Sequence, residues 1–134
     1  MPTNEQDSSL TLVQTPTEPI RVLLLDDQTD NLLLRSTILR KYGYVTETAS
    51  TIEEAERLID DIDIAVLDYH LGAGKFGTDV ASDLRARRPQ VPIIILSATL
   101  ERRFGGVEDM HLLKGYSSID DLVTARYAMG LGGL

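Results

Sequence analysis

The chain of 134 residues has no cysteine and no tryptophan, and only 5% of it is aromatic. Without cysteine there are no disulfides and no thiolate metal sites, a usage that suits a reducing compartment. Positive charge is scarce as well: 13 Lys and Arg stand against 21 Asp and Glu, for a formal net charge of −8. That balance argues against nucleic acid or an anionic membrane surface as the main partner. No apolar run approaches the ~20 residues that span a bilayer. Residues before Arg21 offer neither a basic nor an apolar segment, so they do not read as a signal peptide. The expectation is a soluble cytoplasmic protein.

What is present fits one domain, large enough to bury a core without staples. Residues 1–19, rich in Ser, Thr, Pro, Gln and Glu, read as a flexible arm. The folded domain is expected over 20–129, with a Gly-rich tail at 130–134. Inside it, strand-like and helix-like segments alternate five times, the pattern of a parallel sheet built from βαβ units. Strands are expected at 21–26, 45–49, 64–68, 93–96 and 110–113, with 45–49 the most polar and therefore an edge. Helices are expected at 29–42, stopped by Gly43, at 51–60 with Thr51 and Glu54 as a capping box, and at 78–87, ended by Pro89. A short helix near 100–104 and a last one opened by Ser118 and Asp121 complete the pattern. Leu32, Leu33 and Leu34 fan through roughly 200° of a helix, so at least one must face solvent. A face of that kind is either a stray exposed leucine or a docking surface. Asp30 reads as an ordinary capping residue.

The strands that are apolar throughout end on polar residues: Asp26 and Asp27, Asp68, Ser97, and close to the fourth such run, Lys114. Ligands of open parallel sheets bind outside the carboxyl ends of the strands. Three carboxylates gathered there repel by about 4 kcal/mol per pair at ~4 Å and an effective dielectric of ~20. A cation with oxygen ligands offsets this, and Mg²⁺ is the natural choice. Such an ion clamps an incoming phosphoryl group. Asp68 is the best-placed nucleophile, able to form an acyl phosphate. Asp26 and Asp27 would hold the metal, Lys114 would supply a point charge and Ser97 a hydroxyl donor.

The acidic pair Asp26–Asp27, Asp68 within LDYHL, the pair Ser97–Ala98 and Lys114 resemble, in type, order and placement, the receiver domains of two-component response regulators. The resemblance spans about residues 20–129. It implies a doubly wound (βα)5 flavodoxin-like fold with strand order 2-1-3-4-5. It also implies transfer of a phosphoryl group to Asp68 from a sensor histidine kinase or a histidine phosphotransfer protein, with signalling to an effector. Mg²⁺ would be held by Asp26, Asp27, Asp68 and the carbonyl of His70. Ser97 would turn toward the phosphoryl group, followed by a switch residue on strand five.

That switch position, usually aromatic, is His111 here, so a rotating residue titrating near pH ~6.5 and an ordinary half-buried histidine both stand as readings. Gly115 follows Lys114 where the family commonly has proline. The spacing from Ser97 to Lys114 is short, which implies a shortened fourth helix. His70 and Thr99 occupy positions that flank the phosphoryl group.

Three other readings stand beside this one. Gly72, Gly74 and Gly77 spell a dinucleotide fingerprint, but one that starts late and lacks its distal acid; the glycines otherwise read as a flexible loop carrying exposed Lys75 and Phe76. A Mg²⁺-dependent phosphatase would need an acid two residues after Asp26, where Gln28 stands. A non-phosphorylated pseudo-receiver would keep the fold as an interaction module. The reading adopted is a stand-alone receiver, a phosphorylation-controlled switch rather than an enzyme acting on a separate substrate.

Overall fold

The computed structural model describes residues 18–98 and 107–113. Along the chain run β1 (Arg21–Leu25), α1 (Thr29–Lys41), β2 (Val45–Ala49), α2 (Ile52–Glu56), a 3-10 turn (Ile59–Asp61), β3 (Ile64–Asp68), α3 (Thr78–Arg87), β4 (Ile93–Ser97) and β5 (Met110–Leu113). The five strands form one sheet in the order β2-β1-β3-β4-β5, and every neighbouring pair is parallel. This is the doubly wound flavodoxin-like architecture. The expected short helix near 100–104, the shortening of the fourth helix and the last helix fall outside the described residues.

Successive side chains of a strand point to opposite faces, so the fully buried β3 and β4 need cover on both sides. Leu23, Leu25, Leu67, Ile93 and Ile95 pack with Ala55, Ile59, Val80 and Leu84 from α2, the 3-10 turn and α3. Val22, Leu24, Val66, Ile94 and Leu96 pack on the other face with Leu32 and Leu39 of α1. β2, the polar edge, is mostly half-exposed.

α1 buries Leu32, Ser36 and Leu39 and turns Leu33 and Leu34, 64% and 60% exposed, to solvent. Its N-cap is Gln28 rather than Asp30, which lies in the first turn. The Gly43 N–H donates to the Arg40 carbonyl at 3.1 Å, and Gly43 takes φ +93°, closing the helix as the sequence implied.

α2 departs from expectation. The Glu54 N–H donates to Thr51 Oγ1 at 3.1 Å. The Glu54 carboxylate, however, accepts from the Ser50 N–H at 2.7 Å, one residue before the cap. The helix expected to reach Asp60 stops at Glu56, and the chain tightens through Leu58 N–H to the Ala55 carbonyl and Asp61 N–H to the Leu58 carbonyl. Beyond it, Arg88 holds the chain, its guanidinium donating to the carbonyls of Ile59 and Ile62 at 2.8 and 2.7 Å. Both isoleucines are fully buried. At the far end of the sheet, Asp109 accepts from the Ile93 N–H at 2.8 Å and from Arg85 at 2.7 Å, which fixes the entry of β5 beside β4.

Glu56 on α2 lies against Asp83 and Arg87 of α3, with Arg87 Nη1 at 3.5 Å. Burial, a hydrogen bond with Asp83 and the negative charge of Asp83 push its carboxyl up to about 7, against the lowering effect of Arg87. The folded chain therefore holds this proton more tightly than the unfolded chain. The resulting stability is complete below the ordinary value of 4.5 and is lost as pH rises through about 7. Urea midpoints are expected to fall between about pH 5 and about pH 7.5, and Glu56→Gln to flatten that fall.

Candidate functional site

Register builds the site. Leu25 pairs with Leu67, so Asp26, one step beyond β1, comes level with Asp68 at the end of β3. Asp68 in turn pairs with Leu96, which sets Ser97 one step further along the same edge. Asp26, Asp68 and Ser97 are buried at 0%, 1% and 3% exposure, while Asp27 is exposed. One carboxylate oxygen from each of Asp26, Asp27 and Asp68 lies within 4.8 Å of the other two. An all-oxygen donor set of this charge, with one face open through Asp27, fits a hard divalent cation such as Mg²⁺.

Asp26 is held from its own loop and from α1. Its Oδ1 accepts from the Gln28 N–H at 2.9 Å. Its Oδ2 accepts from Asn31 Nδ2 at 3.3 Å and from Arg35 Nη1 at 2.8 Å. Neither Asn31 nor Arg35 was singled out from sequence. The available signal was a cation on the inward stripe of α1, three residues after Leu32 and one before Ser36, where burial demands a partner.

The β3–α3 loop frames Asp68. The Tyr69 N–H donates to the Leu96 carbonyl at 2.7 Å, and the Gly77 N–H to the Tyr69 carbonyl at 2.8 Å. Within it, Leu71 N–H reaches the Lys75 carbonyl at 3.0 Å and Lys75 N–H the Gly72 carbonyl at 2.9 Å. His70 and Phe76 face each other across a β-bridge. The Phe76 ring lies 4.9 Å from that of Tyr69 and 5.2 Å from that of His70. The loop expected to be flexible is thus fastened by its own hydrogen bonds and ring contacts. Lys75 is exposed, as expected, but Phe76 is half-buried.

The loop's glycines have local reasons. Gly72 and Gly74 take φ +77° and +73° on either side of Ala73 at +52°, which makes the tight reversal. A Cβ on Gly77 would lie 2.2 Å from the Asp68 carbonyl oxygen, and one on Gly72 3.3 Å from Asp27 Oδ2.

On the far side, the Ser97 hydroxyl and His111 Nε2 are hydrogen-bonded at 2.5 Å. His111 pairs in register with Ile95 and Leu113 with Ser97, so the two side chains meet diagonally on one face of the sheet.

Residues 22–105 match the family model of the response regulator receiver domain. The chain belongs to this family. The receiver domain protein of Methanospirillum hungatei shares the fold, with a TM-score of 0.74 and 22% identity over 84% of this chain and 95% of that one. Response regulator TrrA of Thermotoga maritima, solved in complex with Mg²⁺-BeF, gives a TM-score of 0.73 and 26% identity over 82% of this chain and 98% of TrrA. TrrA is also known in complex with histidine kinase ThkA, and that structure matches with a TM-score of 0.72 and 25% identity over 82% of this chain and 97% of that one. The alginate biosynthesis transcriptional regulatory protein AlgB of Pseudomonas aeruginosa is 34% identical over 80 residues, covering 58% of this chain and 18% of AlgB. The chain therefore spans less than a fifth of the length of that relative.

Within the receiver, the structure brings together Asp26, Asp27 and Asp68, sets Ser97 beside them and joins Ser97 to His111. The His70 side chain is exposed, at the foot of the loop. Lys114 follows Leu113, the last residue of β5, and lies outside the described residues, as do Thr99 and Gly115. Among the described residues, no helix is long and apolar enough to cross a membrane. Gly77→Ala is expected to destabilise the receiver by more than about 1 kcal/mol, because the new methyl meets backbone rather than a movable side chain. Urea denaturation checks it.

Proposed function

We propose that Asp68 accepts a phosphoryl group from a sensor histidine kinase or a histidine phosphotransfer protein in a Mg²⁺-dependent reaction. The observation that carries this reading is a buried Asp68 at the end of β3 with the carboxylates of Asp26 and Asp27 close beside it. A carboxylate oxygen of Asp68 attacks phosphorus, the bond from phosphorus to the donor nitrogen breaks, and an acyl phosphate remains on Asp68. Asp26, Asp27, Asp68 and the His70 carbonyl would hold Mg²⁺, which when bound supplies positive charge against the phosphoryl oxygens. Lys114 would add a further point charge. The domain catalyses only its own modification and the loss of that modification.

Ser97 and His111 form the proposed switch. The hydroxyl that His111 now holds would turn to the phosphoryl oxygens, and His111 would move with it. The altered face would then be read by an effector protein or the phosphoryl group passed on in a relay. The domain is taken as residues 20–129, between the arm 1–19 and the tail 130–134, and its net negative charge supports partners other than nucleic acid or membrane. A cytoplasmic setting is consistent with the absence of cysteine.

Leu33 and Leu34 supply the docking face proposed for the phosphodonor. They are exposed on α1, the helix that begins two residues after Asp27. An exposed apolar pair beside a charged site is what an incoming helix needs to bury. The TrrA–ThkA complex supports a kinase as the partner of a relative.

Incubation with acetyl phosphate and Mg²⁺ is expected to add one phosphoryl group, about 80 Da by intact mass, to the wild type and not to Asp68→Asn. A wild type that binds Mg²⁺ yet gains no mass would leave the interaction module as the reading. Leu33→Glu is expected to slow transfer from the cognate kinase about tenfold, equivalent to roughly 1.4 kcal/mol of docking energy. Its labelling by acetyl phosphate should stay unchanged.

A further inference from the structure

Arg35 is a cation on the side of α1 that faces the sheet. Leu32, Ser36 and Leu39 on that stripe are buried. The Arg35 side chain is only 17% exposed, and it ends 2.8 Å from an oxygen of the fully buried Asp26. A carboxylate has about four lone-pair positions. On Asp26, at least three are met from within the chain, by Gln28, Asn31 and Arg35. Asp26 is also one of the three carboxylates whose oxygens gather within 4.8 Å. Of the three donors, Arg35 alone carries full charge, and a guanidinium keeps that charge at any working pH.

We infer that Arg35 is a built-in counter-ion of the acidic cluster, competing with a divalent cation for Asp26 and setting the cation concentration at which the domain becomes a phosphoacceptor. The inference rests on the reading of Asp26, Asp27 and Asp68 as a cation site. Two facts point to competition rather than simple positioning. The Gln28 N–H and Asn31 also hold Asp26, so Arg35 is not its sole positioning contact. Arg35 also brings positive charge to a carboxylate at which a second cation would have to be accommodated, and two such charges on one carboxylate repel. The coupling is reciprocal: whatever Arg35 takes from cation affinity, the cation takes from the Arg35–Asp26 pair. Without the cation, Arg35 neutralises part of the repulsion among the three acids; with it, Arg35 is released toward solvent.

The test is calorimetric titration of the full chain with MgCl₂, in the wild type, Arg35→Met and Arg35→Lys. Arg35→Met is expected to bind Mg²⁺ about tenfold tighter, within the range by which groups contacting metal ligands alter affinity, and to melt at a lower temperature than the wild type in EDTA. Arg35→Lys, which keeps the charge, should stay near the wild-type affinity. A second readout needs no variant: the Arg35 Nε–H proton should exchange with solvent faster once Mg²⁺ is added. Unchanged or weaker Mg²⁺ binding by Arg35→Met, or an exchange rate indifferent to Mg²⁺, would overturn the inference and leave Arg35 a support for Asp26. Absence of Mg²⁺ binding from wild type and variants alike would overturn the cation-site reading together with it.

Discussion

Three like charges at one sheet edge are the constraint around which the rest of the molecule is arranged. Asp26 and Asp68 are not brought together by flexible side chains reaching across a surface. They are placed side by side by the parallel register of β1 and β3, and both are sealed from solvent. The repulsion is therefore permanent unless something positive answers it. Arg35 gives part of that answer at 2.8 Å. The fold tolerates the cost because the two hydrophobic layers flanking the sheet hold the strands in this register regardless of what the site contains.

Each support of the site is tied to a packing element. α1 presents Arg35 and Asn31 on the side that also buries Leu32 and Leu39. α3 is preceded by its N-cap Gly77, whose Cα lies too close to the Asp68 carbonyl for any side chain. The loop between β3 and α3 is closed by the bridge from His70 to Phe76. The edge that carries Asp26 and Asp68 is consequently the rim of a covered sheet, with Asp27 exposed on it.

Much of this was legible in the chain itself. Runs such as IAVLD and PIIILS are apolar throughout, so they could be read as strands buried on both faces, and their polar last residues marked the edge. The helical fan of Leu32, Leu33 and Leu34 implied an exposed member, and two are exposed. Where the reading failed, the cause was contact at long range. Nothing local marks the end of α2 at Glu56, and the 3-10 turn that follows is held by Arg88, about thirty residues on. Glycines in the β3–α3 loop read as flexibility, yet two serve positive φ and Gly77 serves a close approach. Arg35 drew no reading from the sequence, because a side chain of that length can reach a buried acid that sequence spacing does not reveal. The contact of Ser97 with His111 likewise depends on the diagonal of the β4–β5 pairing.

In the proposed switch, that contact would bear on how sharply the domain responds. A neutral hydrogen bond contributes about 1 kcal/mol net, and one to a charged acceptor roughly 1.5–3. Trading the imidazole partner of Ser97 for an anionic oxygen therefore gains only about 1 kcal/mol, a several-fold change in a two-state equilibrium. Moving a population from 1:99 to 99:1 takes about 5.5 kcal/mol. The hydroxyl exchange alone yields a graded shift in occupancy, and a near-complete response requires several further contacts to change partners in the same event.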